Sequence, residues 1–328
     1  MNFITGTYVI DASAAALNNA RGEDNVGRVK AIRQGRHEYP YVSAQAVRYW
    51  LRAALGQISP DIPLSPVLRG KTVKQQAFTE GNPMRYWDDD LFGYMRAQKG
   101  DNGGSDTLTR IAPFRTSTLV SAAPVEIVSD FGVMARAEGS SVVFEHEFYR
   151  APLVGMFSID LDAVGTFTYR DKAGFRNLGT LTKQEAKAEG LEHLPDREAY
   201  RLPVDERQRR VAALLQAFAY LNGGAKQSLH YTDTTPAFAC IAVMRGGSNP
   251  FAYLIDAKPE PALHLDALDE AMHVYAGDLL APLYLGLRQG FMDSAYEPLK
   301  ARHLEPMHPR YAFAALAEDV LNRPEWFA

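Results

Sequence analysis

Two amphipathic helical patterns bracket a long β-patterned segment, and this order constrains the fold of the 328-residue chain more than any other feature. The first pattern opens at Ser43, whose hydroxyl can accept from the free N–H groups of a first helical turn. Ala46, Val47, Trp50, Leu51, Ala54 and Leu55 then fall on one apolar face. The second runs from Asp205 to Leu221. Asp205 and Glu206 occupy its first turn, Val211, Leu214, Leu215 and Phe218 make the buried stripe, and Gly223-Gly224 ends it. Between the two, Ile111–Val120, Val125–Ala135, Val142–Phe148 and Leu153–Ile159 read as strands, with Glu138-Gly139-Ser140-Ser141 as a hairpin tip. Phe3–Asp11 reads as a first strand, and Glu38–Val42 as another, reached through the glycine-bearing loop Asn18–Gly35. After the second helix, Ala237–Met244 and Phe251–Ile255 read as paired strands around a turn. Leu265–Leu287 reads as a long helix interrupted near Gly277 and Pro282, and Pro309–Val320 as a closing helix. The order predicts an α+β fold in which a split βαβ unit carries a long insertion.

Elsewhere the pattern is weaker. Asp88-Asp89-Asp90 opens a short helix, with Arg69, Lys71 and Lys74 ahead of it as a minor basic group. Gly100–Asp106 reads as a flexible tip, and Arg170–Leu202 as a polar, solvated connector. The chain holds one cysteine, Cys240, which excludes an internal disulfide framework and a cysteine-based zinc cage. No apolar run of about 18 residues is present, and the N-terminus has no basic lead, so a cytoplasmic protein without a membrane partner is expected. A net charge of −4 argues against a non-specific nucleic-acid coater, though not against one local basic patch.

The usual catalytic arrangements are absent. Neither HExxH nor a paired Cys/His spacing occurs, and Glu145-His146-Glu147 alternates faces in a strand, so neither metal nor cofactor is expected. The eight histidines look scattered. No nucleophile elbow or phosphate-binding glycine loop is present, and Cys240 lies in the apolar run Phe238–Val243 as a buried thiol. The three aspartates have two readings: a helix N-terminus stabilised by acids, or ligands for a magnesium ion. The first is the more economical.

What remains is the basic stretch Asn18–Arg52. Between Asn25 and Arg52 it carries Arg28, Lys30, Arg33, Arg36, Arg48 and Arg52 against one acid, Glu38. Gln45, Arg48 and Arg52 share the polar face of the first helix, with no local acid to pair the arginines. Donors aligned beside a helix N-terminus suit a chain of phosphates. Lys226, in a glycine-flanked turn after the second helix, is a further donor. A solvated face is the plain alternative, and a phosphate-backbone binder the best functional reading.

The same residues carry a family resemblance. Ala16-Leu17-Asn18-Asn19, Gly22-Glu23-Asp24-Asn25, Val29-Lys30-x-Ile32-Arg33 and Tyr39-Pro40-Tyr41-Val42-Ser43-Ala44-Gln45-Ala46-x-Arg48 resemble the signature of the backbone subunit of type I CRISPR surveillance (Cascade) complexes. Asp88–Met95 and Gly224-Ala225-Lys226-Gln227 add to it, and the match is to the DevR-like branch of the RAMP superfamily, typical of subtype I-B. The resemblance implies a modified RRM-like (ferredoxin-like) palm with inserted fingers and a β-hairpin thumb. Residues 1–67 and 203–328 would form the palm, 68–107 the fingers, and 108–168 a β-rich region with the thumb at about 125–148. A connector at 169–202 would complete the chain.

It further implies a non-catalytic subunit that binds the guide RNA (crRNA) and stacks with other copies of itself into a filament. The thumb of one copy displaces a guide nucleotide of the next, and the remaining bases pair with the target DNA strand. Other Cascade subunits are the remaining partners. Ser43, Gln45, Arg48 and Arg52 match the family's guide-gripping helix, Asn19, Lys30 and Arg33 its preceding loop, and Lys226 and Gln227 its RNA-proximal turn. Phe131 and Met134 are the thumb-wedge candidates. Two rivals stand beside this reading: an RNA-cleaving type III-like backbone subunit using one of the aspartates, and a regulatory protein that holds no guide.

Overall fold

The computed structural model describes the chain except residues 21–25, 71–76, 100–104, 135–141, 257 and 259, and the side chains of residues 98, 99, 105, 106, 134 and 142. Outside the described residues lie the Gly22–Asn25 motif, Lys71 and Lys74, most of the Gly100–Asp106 tip, the Glu138–Ser141 hairpin tip and the side chain of Met134.

The fold is mixed α+β around a large, mostly antiparallel sheet. Its first half is built from β1 (Asn2–Ala15), β2 (Val26–Gly27), β3 (Ala31–Gln34), β4 (His37–Val42) and α1 (Ala44–Ile58). Next come the small hairpin β5 (Leu68–Arg69) and β6 (Ala77–Phe78), α2 (Trp87–Phe92), and the hairpin β7 (Tyr94–Lys99) and β8 (Ser105–Arg110). Then follow β9 (Phe114–Thr116), β10 (Leu119–Ser121), β11 (Val128–Met134), β12 (Val142–Asp160) and β13 (Thr166–Thr168). The second half holds α3 (Thr180–Ala188), β14 (Glu192–Leu194), β15 (Ala199–Arg201), α4 (Val204–Ala219) and β16 (Phe238–Arg245). It ends with α5 (Leu265–Val274), β17 (Tyr284–Leu287), α6 (Tyr296–Lys300) and α7 (Pro309–Asn322).

The sheet runs β17-β16-β1-β12-β10-β4-β3, with β2, β9 and β11 also pairing to β12. Its central strands are buried on both faces, and their period of two sorts side chains between two cores. Ile4, Tyr8 and Ile10 of β1, with Ala239, Ile241 and Val243 of β16, enter the core under α1, α4 and α7. Val9, with Phe238, Cys240 and Ala242, enters a second core closed by α5 and the segment after β17. In the first core Phe218 gathers three rings: Tyr8 meets it edge-on at 5.3 Å, Phe157 is tilted against it at 4.7 Å, and Phe313 stacks on it at 5.0 Å. Such pairs contribute about 0.5–1.5 kcal/mol each beyond their buried area. Burial in the second core also pushes the Cys240 thiol up, away from the reactive thiolate.

Several expectations are corrected. Val142–Phe148 and Leu153–Ile159 are one strand, β12: its outer part pairs with β11 and its inner part with β1. Ile111–Val120 is broken into β9 and β10 at Ser117, whose N–H donates to the Met156 carbonyl. Phe251–Ile255 is a turn in which the Phe251 carbonyl accepts from Thr7 Oγ1 at 2.8 Å. The helix expected over Leu265–Leu287 stops at Val274, and Tyr284–Leu287 instead pairs with β16. A four-residue apolar run has no period long enough to tell helix from strand. The loop before Glu38 contains β3, which pairs with β4 from Ala31↔Pro40 to Gln34↔His37.

The 170–202 segment is no mere solvated connector. β13, β15 and β14 form a separate three-stranded sheet, and Phe167, Leu178, Ala186, Tyr200 and Leu202 pack with Met84 into a third core. Among the described residues no helix is long and apolar enough to cross a membrane.

Candidate nucleic-acid interface

The end of β1, the start of α1 and the turn after α4 meet at one place, and local sequence explains why. Asn18 Oδ1 accepts from the Ser43 N–H at 3.2 Å, while its carbonyl accepts from Lys30 N–H at 2.9 Å. Ser43 is extended (φ −66°, ψ 150°) and its hydroxyl accepts from Ala46 N–H, so it caps α1 as its residue type predicts. The Ala225 N–H donates to the Leu17 carbonyl at 2.9 Å, pinning the Gly224-Ala225-Lys226-Gln227 turn beside Asn18 and Asn19. Gly223 is required here: a Cβ would lie 2.2 Å from Trp50 Cγ, so only glycine lets the turn rest on α1. Gly224 has φ +113°, and its Cβ would meet Leu17 Cδ2 at 2.4 Å. Lys226 itself adopts the left-handed conformation, φ 52°.

This convergence places the sequence-nominated residues unequally. Lys30 and Arg33 line a cleft of about 400 Å³ with Arg28, Tyr41, Glu38 and Glu147. Asn19 bridges to Val29 across the cleft's edge, and its Oδ1 is buried with no hydrogen-bond partner among the described residues. Arg48 has no acid partner among the described residues, and its Nε is likewise buried and unpartnered. Gln45 is exposed on the same helix. Unpartnered buried polar atoms are uncommon and call for an explanation such as an absent ligand. Lys226 Nζ reaches over Gly27, where a Cβ would sit 2.4 Å away. Burial holds its amine below the ordinary lysine value, opposed by the nearby Glu147 carboxylate.

Three of the premises fail. Arg52 is not free: its Nε donates to Asp88 Oδ2 at 2.7 Å and its Nη2 to the Ser65 carbonyl. The acid that pairs it comes from α2, a distant part of the chain. Arg33 Nε donates to Glu38 Oε1 at 2.8 Å, an exposed pair of little energetic weight. Gln227 is wholly occupied in holding its own loop. Its Nε2 donates to the Gly223 and Thr232 carbonyls, and its Oε1 accepts from Thr232 N–H at 2.9 Å.

Of the three aspartates, two are fully committed and the third in part. Asp88 accepts from Arg52 and from Ser65 N–H at 2.8 Å; Asp89 Oδ2 accepts from Asn82 N–H at 3.0 Å, while its buried Oδ1 has no hydrogen-bond partner among the described residues. Asp90 is fully buried between Arg110 and Arg210, and accepts from Gly165 N–H at 3.0 Å. Among the described residues no group of three or more potential ligands could hold a metal ion.

Sequence reasoning missed a pair that the fold assembles. His146 of β12 and His230 of the turn lie with ring centroids 5.0 Å apart, between Phe144 and Phe148. The histidines are therefore not all scattered. His146 also faces Asp130 of β11 at 3.4 Å. No sequence signal announces this contact, because it depends on α4 returning the chain to β12.

The β11–β12 hairpin projects next to this site. Register pairs Phe131 with Glu145 and Val133 with Val143, so these share one face, and Phe131, Val133 and Val143 are exposed there. Met134 ends β11 opposite Val142.

Residues 4–255 match the family model described as CRISPR-associated negative auto-regulator DevR/Csa2. The chain belongs to that family. No curated protein sequence matches it. Among solved structures, a chain described as "CRISPR RNA-guided surveillance complex, pre-nicking" is 12% identical, with a TM-score of 0.57 over 98% of this chain and 100% of that one. A second, described as "CRISPR RNA-guided surveillance complex", is 13% identical, with a TM-score of 0.52 over 97% and 99%. Identities this low carry the fold alone. The DevR/Csa2 chain thus shares its architecture, end to end, with chains of these complexes.

Proposed function

We propose that this DevR/Csa2 protein is a non-catalytic backbone subunit of a type I CRISPR surveillance complex, gripping the guide RNA at the α1 N-terminus. Family membership and the shared fold support the assignment to a surveillance complex. The observation that carries the RNA grip is the convergence of Asn19, Lys30, Ser43, Arg48 and Lys226, with buried Arg48 and Asn19 polar atoms that have no partner among the described residues. Phosphate oxygens would accept from Arg48 and Lys226 and from the first-turn N–H groups of α1, without reading base sequence. Gln45 and Arg33 lie at the rim, while Arg52 and Gln227 act as braces behind the site.

The strand order β16-β1-β12-β10, with α1 and α4 packed on one face, supports reading this part of the chain as a ferredoxin-like palm. In this reading the β5–β8 region is the fingers, the 166–201 module an elaboration of the palm, and the β11–β12 hairpin the thumb. Exposed Phe131 is the wedge toward a neighbouring copy, and Met134, three residues on at the end of the same strand, is the second candidate. Occupation of Asp88 and Asp90 by arginines supports the non-catalytic role.

The test is copurification. Full-length protein, expressed with a guide array and its partner subunits, should carry short RNA. Arg48→Glu with Lys226→Glu should lose that RNA while keeping its melting temperature. A wild-type protein free of short RNA, alone and with partners, favours a guide-free regulator instead.

A further inference from the structure

The 166–201 module has a cleft of its own, about 360 Å³, between α3 and the rings of Tyr169 and Tyr200. Lys183 and Lys187 stand one turn apart on α3, both exposed and both lining the cleft. Like charges at this spacing repel, so the sequence maintains an unfavourable pair here. Neither lysine has an ion-pair partner among the described residues, and no described carboxylate lines the cleft. Glu185 of the same helix turns away and accepts from Asn82 Nδ2 at 3.3 Å. Arg176 is engaged by Asp171 at 3.9 Å and by the Leu178 carbonyl, so the argument rests on the lysines.

Aromatic rings are interleaved with these cations. Lys183 Nζ lies 3.7 Å from the Tyr169 ring centroid, and Lys172 Nζ 4.4 Å from that of Phe175. A ring face attracts a cation without neutralising it. His193, Tyr200 and Tyr169 form a three-ring cluster, with His193 4.9 Å from Tyr200, 6.1 Å from Tyr169, and the two tyrosines 5.7 Å apart. Tyr169 and His193 are fixed to each other by a 2.9 Å hydrogen bond between the phenol and Nε2. Tyr200 is buried in the third core and backs the cluster, whereas Tyr169 is half-buried and His193 exposed. Paired lysines for phosphates beside these two rings for bases are the two components of a single-strand binding surface. An acidic peptide would use the lysines and leave the Tyr169 and His193 rings without a role.

We propose that this cleft binds a segment of single-stranded nucleic acid, separate from the strand gripped at α1. None of its lining residues belongs to α1, to the 17–42 segment or to the turn after α4. Single-stranded DNA and RNA share the chemistry, and the experiment separates them.

The experiment uses the full chain with the guide site silenced by Arg48→Glu and Lys226→Glu. Fluorescence anisotropy with labelled oligo-dT and oligo-rU is compared with and without Lys183→Glu and Lys187→Glu. The lysine changes should weaken binding by about tenfold or more at low salt. They should also reduce the salt slope by about 1.4, two phosphates at roughly 0.7 each. Loss confined to one oligonucleotide identifies the sugar that the cleft takes. Tyr169→Phe should retain binding and Tyr169→Ala weaken it, separating ring stacking from charge alone. Unchanged affinity on lysine reversal overturns the proposal, as does equal binding of polyglutamate.

A third arm measures the RNA carried by Lys183→Glu/Lys187→Glu with the guide site intact. Normal copurified RNA is expected; its loss would make the cleft part of the guide site and overturn the separate assignment. If wild-type protein carries no guide but oligonucleotide binding still depends on the two lysines, the guide reading fails and the cleft stands.

Discussion

Asp90→Asn tests whether the three aspartates hold the fold together or perform chemistry. Asp90 is fully buried, and its countercharges, Arg110 and Arg210, are 3% and 1% exposed. Asparagine keeps the shape and one acceptor but removes the charge. Removing one partner of a buried ion pair costs about 3–5 kcal/mol, because the other charge stays uncompensated. Here both guanidiniums retain other acceptors. Arg210 keeps Glu206 at 3.0 Å and the Pro83 and Met84 carbonyls; Arg110 keeps the carbonyls of Asp90, Ala163 and Thr166. The expected loss is therefore near the lower end, about 3–4 kcal/mol. At about 2–4 °C per kcal/mol for a chain of this order of size, melting should fall by roughly 6–16 °C. Differential scanning calorimetry on the purified full chain reads this directly. Adding Arg210→Met should restore part of the loss, since the pair is coupled. A shift below about 2 °C would refute the reasoning. If the same variant also lost a magnesium-dependent RNA cleavage while keeping its stability, Asp90 would be a catalytic residue and the backbone reading would fall.

Arg52→Ala should lower the melting temperature, since it strands the buried Asp88 carboxylate, at a cost of about 2 kcal/mol. Arg48→Ala should leave melting within about 0.5 kcal/mol of wild type yet reduce copurified RNA, which calorimetry and RNA quantification separate. The His230 imidazole is held below 6.5 by burial, then by His146 and Lys226, so the unfolded chain binds the extra proton more readily. Its contribution is present above pH 6.5 and lost as pH falls from 6.5 toward the depressed folded value; melting curves should show this, and His230→Phe should flatten it. Phe131→Asp, at a position 68% exposed, should leave monomer stability unchanged and shorten assemblies seen by mass photometry.

Features with a local cause were legible in the sequence. Ser43 caps α1, the apolar stripe of 205–221 becomes α4, and the continuous apolar run of Phe238–Val243 becomes a central strand, because each answers to neighbours within a few residues. β12 was read as two strands because Arg150-Ala151-Pro152 interrupts its alternation, although pairing with β1 carries it through. The guide-site charges were legible only as a set. That Arg52 belongs to Asp88, and that Gln227 is consumed by Thr232, depends on partners that residue type and spacing do not name. The third core was invisible for a similar reason. Its apolar residues are thinly spread through a charged segment, and one of its members, Met84, comes from before α2.

β12 spans 19 residues without a break, from its pairing with β1 at one end to its pairing with β11 at the other. At about 3.3 Å per residue, that is roughly 60 Å of a single extended segment. One strand is therefore both the spine of the core and the arm that carries Phe131's face outward, so the arm's length acts as a measuring rod. Lengthening both arms of the hairpin by two residues would move its tip out by about 7 Å and keep the same face forward. Lengthening by one would turn every side chain beyond that point to the opposite face. Any spacing the protein imposes on a neighbour is thus quantised in dipeptide steps.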